Sequence, residues 1–206
     1  MSSKSYHLAL LSFAVTLQIS GGSVISAYDW NDGTTQGWYS STLASNVENR
    51  LRVTNSGNGS LQFGGPSSVY SVEESFTISF ELELDSYSTV MTPADLTFAR
   101  LSFNGPGMMS GQLYFPLNLT GLSFDETRVF TLLVSDGIYS DYGVGISREN
   151  FISNLGAPSF LFADPSFSPN TSSAFIDNYS IIPEPSVSLF SLVGGLALIG
   201  FRHRRS

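Results

Sequence analysis

The chain has 206 residues, 42% of them hydrophobic and 13% charged, with no cysteine and a formal net charge of −8. Its charges are unevenly placed: Lys4 is the only lysine, His7 and His203 are the only histidines, and residues 28–182 hold sixteen acidic residues against five arginines, a formal −11. Within that stretch a Ser-His-Asp triad, a thiol nucleophile, a Schiff-base lysine and a His- or Cys-ligated zinc or haem site all lack their central residue, and nucleic acid is excluded as a partner for want of clustered Lys and Arg.

Residues 1–27 read as a secretory signal. Lys4 gives a positive start, Leu8 to Ile19 form an apolar run, and Gly21, Gly22, Ser23, Ser26 and Ala27 follow as small residues. An apolar run of about 12 residues is too short to cross a ~30 Å hydrocarbon core but suits a signal peptide. Cleavage is expected after Ala27, with Ser23 the alternative; an N-terminal membrane anchor is the competing reading.

Residues 28–182 form the body, rich in Ser, Thr, Gly, Asn, Phe and Tyr. Short apolar stretches separated by turn residues predict an all-β sandwich. Strands are predicted at Leu51–Val53, Ser60–Phe63, Val69–Val72, Phe76–Leu84, Leu96–Phe103, Gln112–Leu119, Val129–Val134, Val144–Ser147, Phe160–Ala163 and Ala174–Ile182. The run at 76–84 alternates without a fault, placing Phe76, Ile78, Phe80, Leu82 and Leu84 on one face and Thr77, Ser79, Glu81 and Glu83 on the other. Asn55 to Gly59 and Gly64-Gly65-Pro66 carry turn chemistry. A body of about 155 residues buries enough surface to fold without disulfides.

The opening Tyr28-Asp-Trp-Asn-Asp-Gly-Thr-Thr-Gln-Gly-Trp38, the later Leu51-Arg-Val53 and the closing Ala174-Phe-Ile-Asp-Asn-Tyr-Ser-Ile-Ile182 resemble the ends of carbohydrate-binding-module and laminin-G-like sandwiches. The resemblance implies an antiparallel jelly-roll β-sandwich in which the first and last strands pair. A shared fold leaves function to be argued from the site.

Carboxylates are the plentiful catalytic groups. Glu81 and Glu83, two apart on one strand face, lie roughly 7 Å from each other, within the range used by glycosidase pairs. The segment Glu81-Leu-Glu-Leu-Asp85 also resembles the E-x-D-x-x-E signature of laminarinase-like jelly-roll hydrolases, departing from it at Glu83 and Tyr87. A solvated outer face is the competing reading. Structural calcium is the cofactor to consider, since it accepts mixed oxygen ligands; Asp29, Asp32 and Asp177 would converge on it if the terminal strands pair. Asp177 faces inward with Phe175, Tyr179 and Ile181, or outward if Ala174, Ile176 and Ile182 face inward. Trp30, Trp38, Tyr39, Tyr87, Tyr139 and Tyr142 are candidates for stacking on sugar rings, with core packing the competing reading for both tryptophans.

Residues 183–206 have three parts: Pro183-Glu184-Pro185, the apolar stretch Val187 to Phe201, and Arg202-His203-Arg204-Arg205. The prolines keep the backbone extended. The apolar stretch makes a transmembrane helix of roughly 22 Å, and the basic tail holds its end on the cytoplasmic side. This order resembles the PEP-CTERM sorting signal. The resemblance implies a Gram-negative-type bacterium, exosortase as processing partner acting near Pro183 to Pro185, transient membrane attachment, and a final place at the cell surface or in the matrix, often with exopolysaccharide. An ordinary tail anchor is the competing reading. The expectation is therefore an exported, non-catalytic matrix or glycan-binding protein; the alternatives are a hydrolase or lyase using Glu81 and Glu83, or a matrix component with no specific ligand.

Overall fold

A computed structural model describes residues 26–40, 43–66, 75–105 and 111–183. The elements follow in chain order: β1 (Ser26–Tyr28), β2 (Tyr39–Ser40), β3 (Leu43–Val47), β4 (Arg50–Ser56), β5 (Leu61–Gly64), β6 (Phe76–Tyr87), β7 (Phe98–Asn104), β8 (Gln112–Pro116), β9 (Thr127–Leu133), β10 (Ile138–Ser140), α1 (Arg148–Ile152), β11 (Pro158–Ala163) and β12 (Thr171–Pro183). The strands form two antiparallel sheets. The first has the order β3-β4-β12-β6-β9, with β1 also on β12; the second has the order β10-β8-β7-β11-β5-β2. This is the two-sheet sandwich that the alternating strands predict.

β6 shows why the sheets stack. Its five alternating apolar residues are all buried, and its polar residues face out. A strand with one apolar face stays ordered only by covering that face, and the second sheet does so with Leu61, Phe63, Leu101, Phe103, Leu113, Phe115, Phe160 and Phe162. β12 is the spine of the first sheet. β6 runs along one side of it; along the other, β4 pairs with residues 171–176 and β1 with residues 179–181. The first and last strands therefore pair as expected, Tyr28 opposite Tyr179.

β12 resolves the two readings of its faces by combining them. Ala174 and Ile176 are buried, then Tyr179 and Ile181 are, because the register to β6 shifts between Asp177 and Ser180. Asn178 sits at the shift with φ +50, a left-handed conformation that Asn adopts more readily than most residues. Asp177 is left on the outer face.

Other expectations are corrected. Val144–Ser147 is not a strand: both oxygens of the Asp141 carboxylate accept backbone N–H bonds, Oδ1 from Gly143 and Oδ2 from Gly145. Those glycines have φ +79, and the chain turns into α1, capped by Ser147. The ladder of β8 stops at Pro116, although Leu117 and Leu119 are buried beyond it. The sequence signals also did not anticipate β2, β3, β10 and α1. β1 begins before the expected body, so cleavage after Ala27 would leave only Tyr28 of that strand, whereas the Ser23 alternative leaves it whole. Val69–Val72, most of the signal segment and the tail beyond Pro183 lie outside the described residues. Among the described residues no helix is long and apolar enough to cross a membrane.

Candidate functional site

The outer face of the first sheet carries the acids. Arg50 Nη1 donates to Glu83 Oε2 at 2.7 Å, and Thr127 Oγ1 donates to the same oxygen at 2.8 Å. Arg52 reaches Asp85 at 3.3 Å, and Ser173 Oγ donates to that carboxylate at 2.6 Å. Both guanidinium groups lie over Phe175, at 4.1 and 5.5 Å from its ring centre. The Ser173 hydroxyl, followed by Asp125 and Arg52, holds the Asp85 carboxyl below the usual carboxylate range. Asp177, directly opposite Glu81, is pushed up, first by burial and also by the charge of Glu81.

This face does not assemble the glycosidase arrangement considered for Glu81 and Glu83. They share a face as predicted, but Glu83 is engaged by Arg50 and Thr127, and Glu81 accepts from Asn178 Nδ2 at 2.9 Å. The recess among Arg50, Glu81, Glu83, Thr127, Phe175 and Asp177 is about 10 Å³, room for one water and not for a sugar.

The calcium candidates do not converge either. Asp29 Oδ1 accepts from the Asn31 backbone at 3.2 Å, and Asp32 Oδ1 accepts from Thr34 N and Oγ1 at 2.8 and 2.9 Å. These bonds shape the loop after β1. Asp177 lies on the strand face already described. No group of three His, Cys, Asp or Glu side chains among the described residues is arranged to hold a metal ion.

That loop drops Trp30 and Trp38 into the core, where they are 0% and 2% exposed. Their rings meet each other, Tyr28 and, for Trp38, Phe160 and Tyr179, so neither offers a face to a sugar. Tyr87 is buried as well, donating to Phe162 O and accepting from Asn170 Nδ2. Tyr139 packs on Phe151 at 5.0 Å and donates to Ile146 O at 2.8 Å; it pins the Asp141 loop. Tyr142 is 58% exposed, at the edge of the second sheet, with its hydroxyl 3.3 Å from Gln112 Oε1.

The outer face of the second sheet is different in kind. Its register aligns Ile138, Tyr114, Ser102, Ser159, Gly64 and Tyr39 in one row across all six strands. Tyr114 and Tyr39 are four strand spacings apart, roughly 19 Å, and only serine and glycine lie between them. Tyr39 is 57% exposed. A Cβ on Gly64 would lie 3.2 Å from Tyr39 Oη and 3.4 Å from its Cζ, so the ring lies across the glycine. Gly65 makes the complementary space on the core side, where Trp38 Cε2 would be 3.3 Å from a Cβ. The Gly-Gly pair is thus a packing device within and just after β5, not the turn its sequence suggests. Arg100, beside Tyr114 in the lattice of outward residues, holds its guanidinium 5.5 Å from that ring's centre. Gln62, Asn104 and Gln112 also point outward on this face, with Leu161 and Pro116 beside Arg100. Tyr39 was among the sequence candidates; Tyr114 and Arg100 were not, although the alternation of Leu113 and Phe115 around Tyr114 marks it as outward.

No protein-family model matches this chain, and no curated protein sequence does. Solved structures do. The CBM22-1–CBM22-2 tandem domain of Paenibacillus barcinonensis Xyn10C matches with a TM-score of 0.52 at 11% identity, over 78% of this chain and 50% of that one. The agarase AgWH50C matches with a TM-score of 0.50 at 10% identity, over 78% of this chain and 25% of that one. A family 11 carbohydrate-binding module from Clostridium thermocellum, in complex with a β-1,3-1,4-mixed-linked tetrasaccharide, matches with a TM-score of 0.47 at 13% identity, over 76% and 94%. At these identities the likeness is one of fold. The chain has the antiparallel jelly-roll sandwich that carbohydrate-binding modules have.

Proposed function

We propose that this is an exported, non-catalytic protein of the bacterial surface whose sandwich binds polysaccharide across the outer face of the second sheet. The observation that carries the reading is the row from the half-buried Tyr114 to the exposed Tyr39, with only the short residues Ser102, Ser159 and Gly64 between them. The solvent-facing surface of such rings gains from covering the apolar faces of pyranose units, and Gln62, Asn104 and Gln112 supply amide donors and acceptors for hydroxyls. The fold likeness to the CBM22 tandem domain supports it. For the address, the support is in the sequence: the signal-like start, and Pro183-Glu184-Pro185 with the apolar stretch and Arg202, Arg204 and Arg205. Exosortase is the proposed processing partner and exopolysaccharide the proposed environment.

Binding to a polysaccharide panel tests the first part. Tyr39→Ala and Tyr114→Ala should each weaken binding by about 1–2 kcal/mol, roughly 5–30-fold in Kd, while Glu81→Gln on the opposite sheet leaves it unchanged. Insensitivity to both tyrosines would remove the proposed site. The mass of the mature C-terminus, in cells with and without exosortase, tests the second part: retention of Arg202 to Arg205 in both would refute processing.

A further inference from the structure

The body holds five arginines, and four are engaged within the protein. Arg50 and Arg52 pair with Glu83 and Asp85. Arg128 donates to Asn118 O and Thr120 O at 3.3 and 3.1 Å and lies 4.0 Å from Glu126. Arg148 donates to Val134 O and Gly137 O. Arg100 differs: among the described residues its guanidinium forms no hydrogen bond or ion pair, its Nε is buried without an acceptor as Arg52 Nε also is, and its cross-strand neighbours are Pro116 and Leu161. No Asp or Glu lies on any of the six strands of the second sheet. Among the described residues, Arg100 is the one charged side chain on the strands of the second sheet, and no carboxylate pairs with it.

We infer that the polysaccharide bound by the second sheet is acidic, and that Arg100 receives a uronate carboxylate. This rests on the glycan-binding reading above. The Nη groups of Arg100 are not among the buried unpaired atoms, so their donors remain for a ligand. The guanidinium fork matches a planar carboxylate with two parallel hydrogen bonds, and Tyr114 beneath it helps to hold the fork in place. The acidic outer face of the first sheet does not repel such a ligand strongly. It lies on the far side of a sandwich about 10 Å thick between sheets, and two of its carboxylates are already paired with Arg50 and Arg52.

The test compares polygalacturonate with its fully methyl-esterified form, the same chain without charge, on the full-length protein. Polygalacturonate should bind about tenfold more tightly or better, as a charge-assisted contact implies. Arg100→Gln should abolish that preference, Arg100→Lys should retain only part of it, and Arg128→Gln should keep it whole. The acid–ester comparison on the unaltered chain stands without any variant. Equal affinity for acid and ester, or a preference that survives Arg100→Gln, overturns the inference. A sulfated galactan that binds as tightly and depends equally on Arg100 overturns the choice of carboxylate. Binding of neutral glucans alone overturns the acidic ligand and leaves the glycan-binding reading standing; no binding to any polysaccharide overturns both.

Discussion

Trp38 and Tyr39 are adjacent aromatics that a strand must send to opposite faces, one into the core and one to solvent. Gly64 and Gly65 are their partners across the strands. This gives a paired prediction. Gly64→Ala places a Cβ 3.0 Å from Pro158 O and 3.2 Å from Tyr39 Oη; the exposed ring gives way and the backbone oxygen must yield by a little, so stability should fall by about 1 kcal/mol while polysaccharide binding weakens. Gly65→Ala meets Pro158 Cγ at 2.8 Å and Trp38 Cε2 at 3.3 Å. Those atoms cannot retreat, so it should lose about 1–3 kcal/mol by overpacking, without touching the outer face. Thermal melts and a binding isotherm on both variants check the contrast. In the sequence the two glycines read as a turn, because a glycine advertises backbone freedom and not which neighbour needs the space.

At the scale of the element, β12 is the instructive case. A faultless two-residue alternation would have made Asp177 share a face with Tyr179; the shift at Asn178 lets Ala174, Ile176, Tyr179 and Ile181 all reach the core and leaves Asp177 outside. There it opposes Glu81, and its carboxyl is pushed above the ordinary range, first by burial. The sign of the pH effect follows. Between the unfolded and the raised folded pKa the native state binds more protons, so stability falls as pH rises through that window, and the full penalty applies above it. Asp177→Asn should therefore raise Tm at pH 7 and change it little at pH 3, since an Asn oxygen still accepts from the Asn178 backbone, as Asp177 Oδ1 does at 2.8 Å. A lower Tm at pH 7 would contradict this. The strand itself was legible in the sequence; its bulge was not, because the shift depends on the pairing with β6.

For the whole molecule, Phe160 ties the sheets together. It is fully buried on β11 and meets Phe63 and Phe162 within its own sheet and Phe80 and Tyr179 from the other. Phe160→Ala should cost about 3–5 kcal/mol, a large share of the stability of a domain this size, read as a lower denaturation midpoint. Charge is also arranged at this scale. The first sheet turns Glu81, Glu83, Asp85 and Asp177 outward with Arg50 and Arg52 among them, and the second turns out Arg100 alone. Among the described residues, the acids thus lie on the first sheet and in the connections between strands, and none on the strands of the second, an arrangement that suits the proposed ligand better than an evenly acidic surface would.

The sequence by itself determined which chemistry is absent, that the body is an antiparallel sandwich, which face of β6 is inside, and that the terminal strands pair. Those properties are local, or carried by end motifs: a period of two is written within one strand, and a missing histidine is missing wherever the chain goes. Only the tertiary structure decided that Trp30 and Trp38 are core, that Asp29, Asp32 and Asp177 do not meet, and that Tyr39, Tyr114 and Arg100 share one surface. Lateral neighbours in a sheet come from distant parts of the chain. Register and bulges set them, and both are fixed by the packing of the whole core.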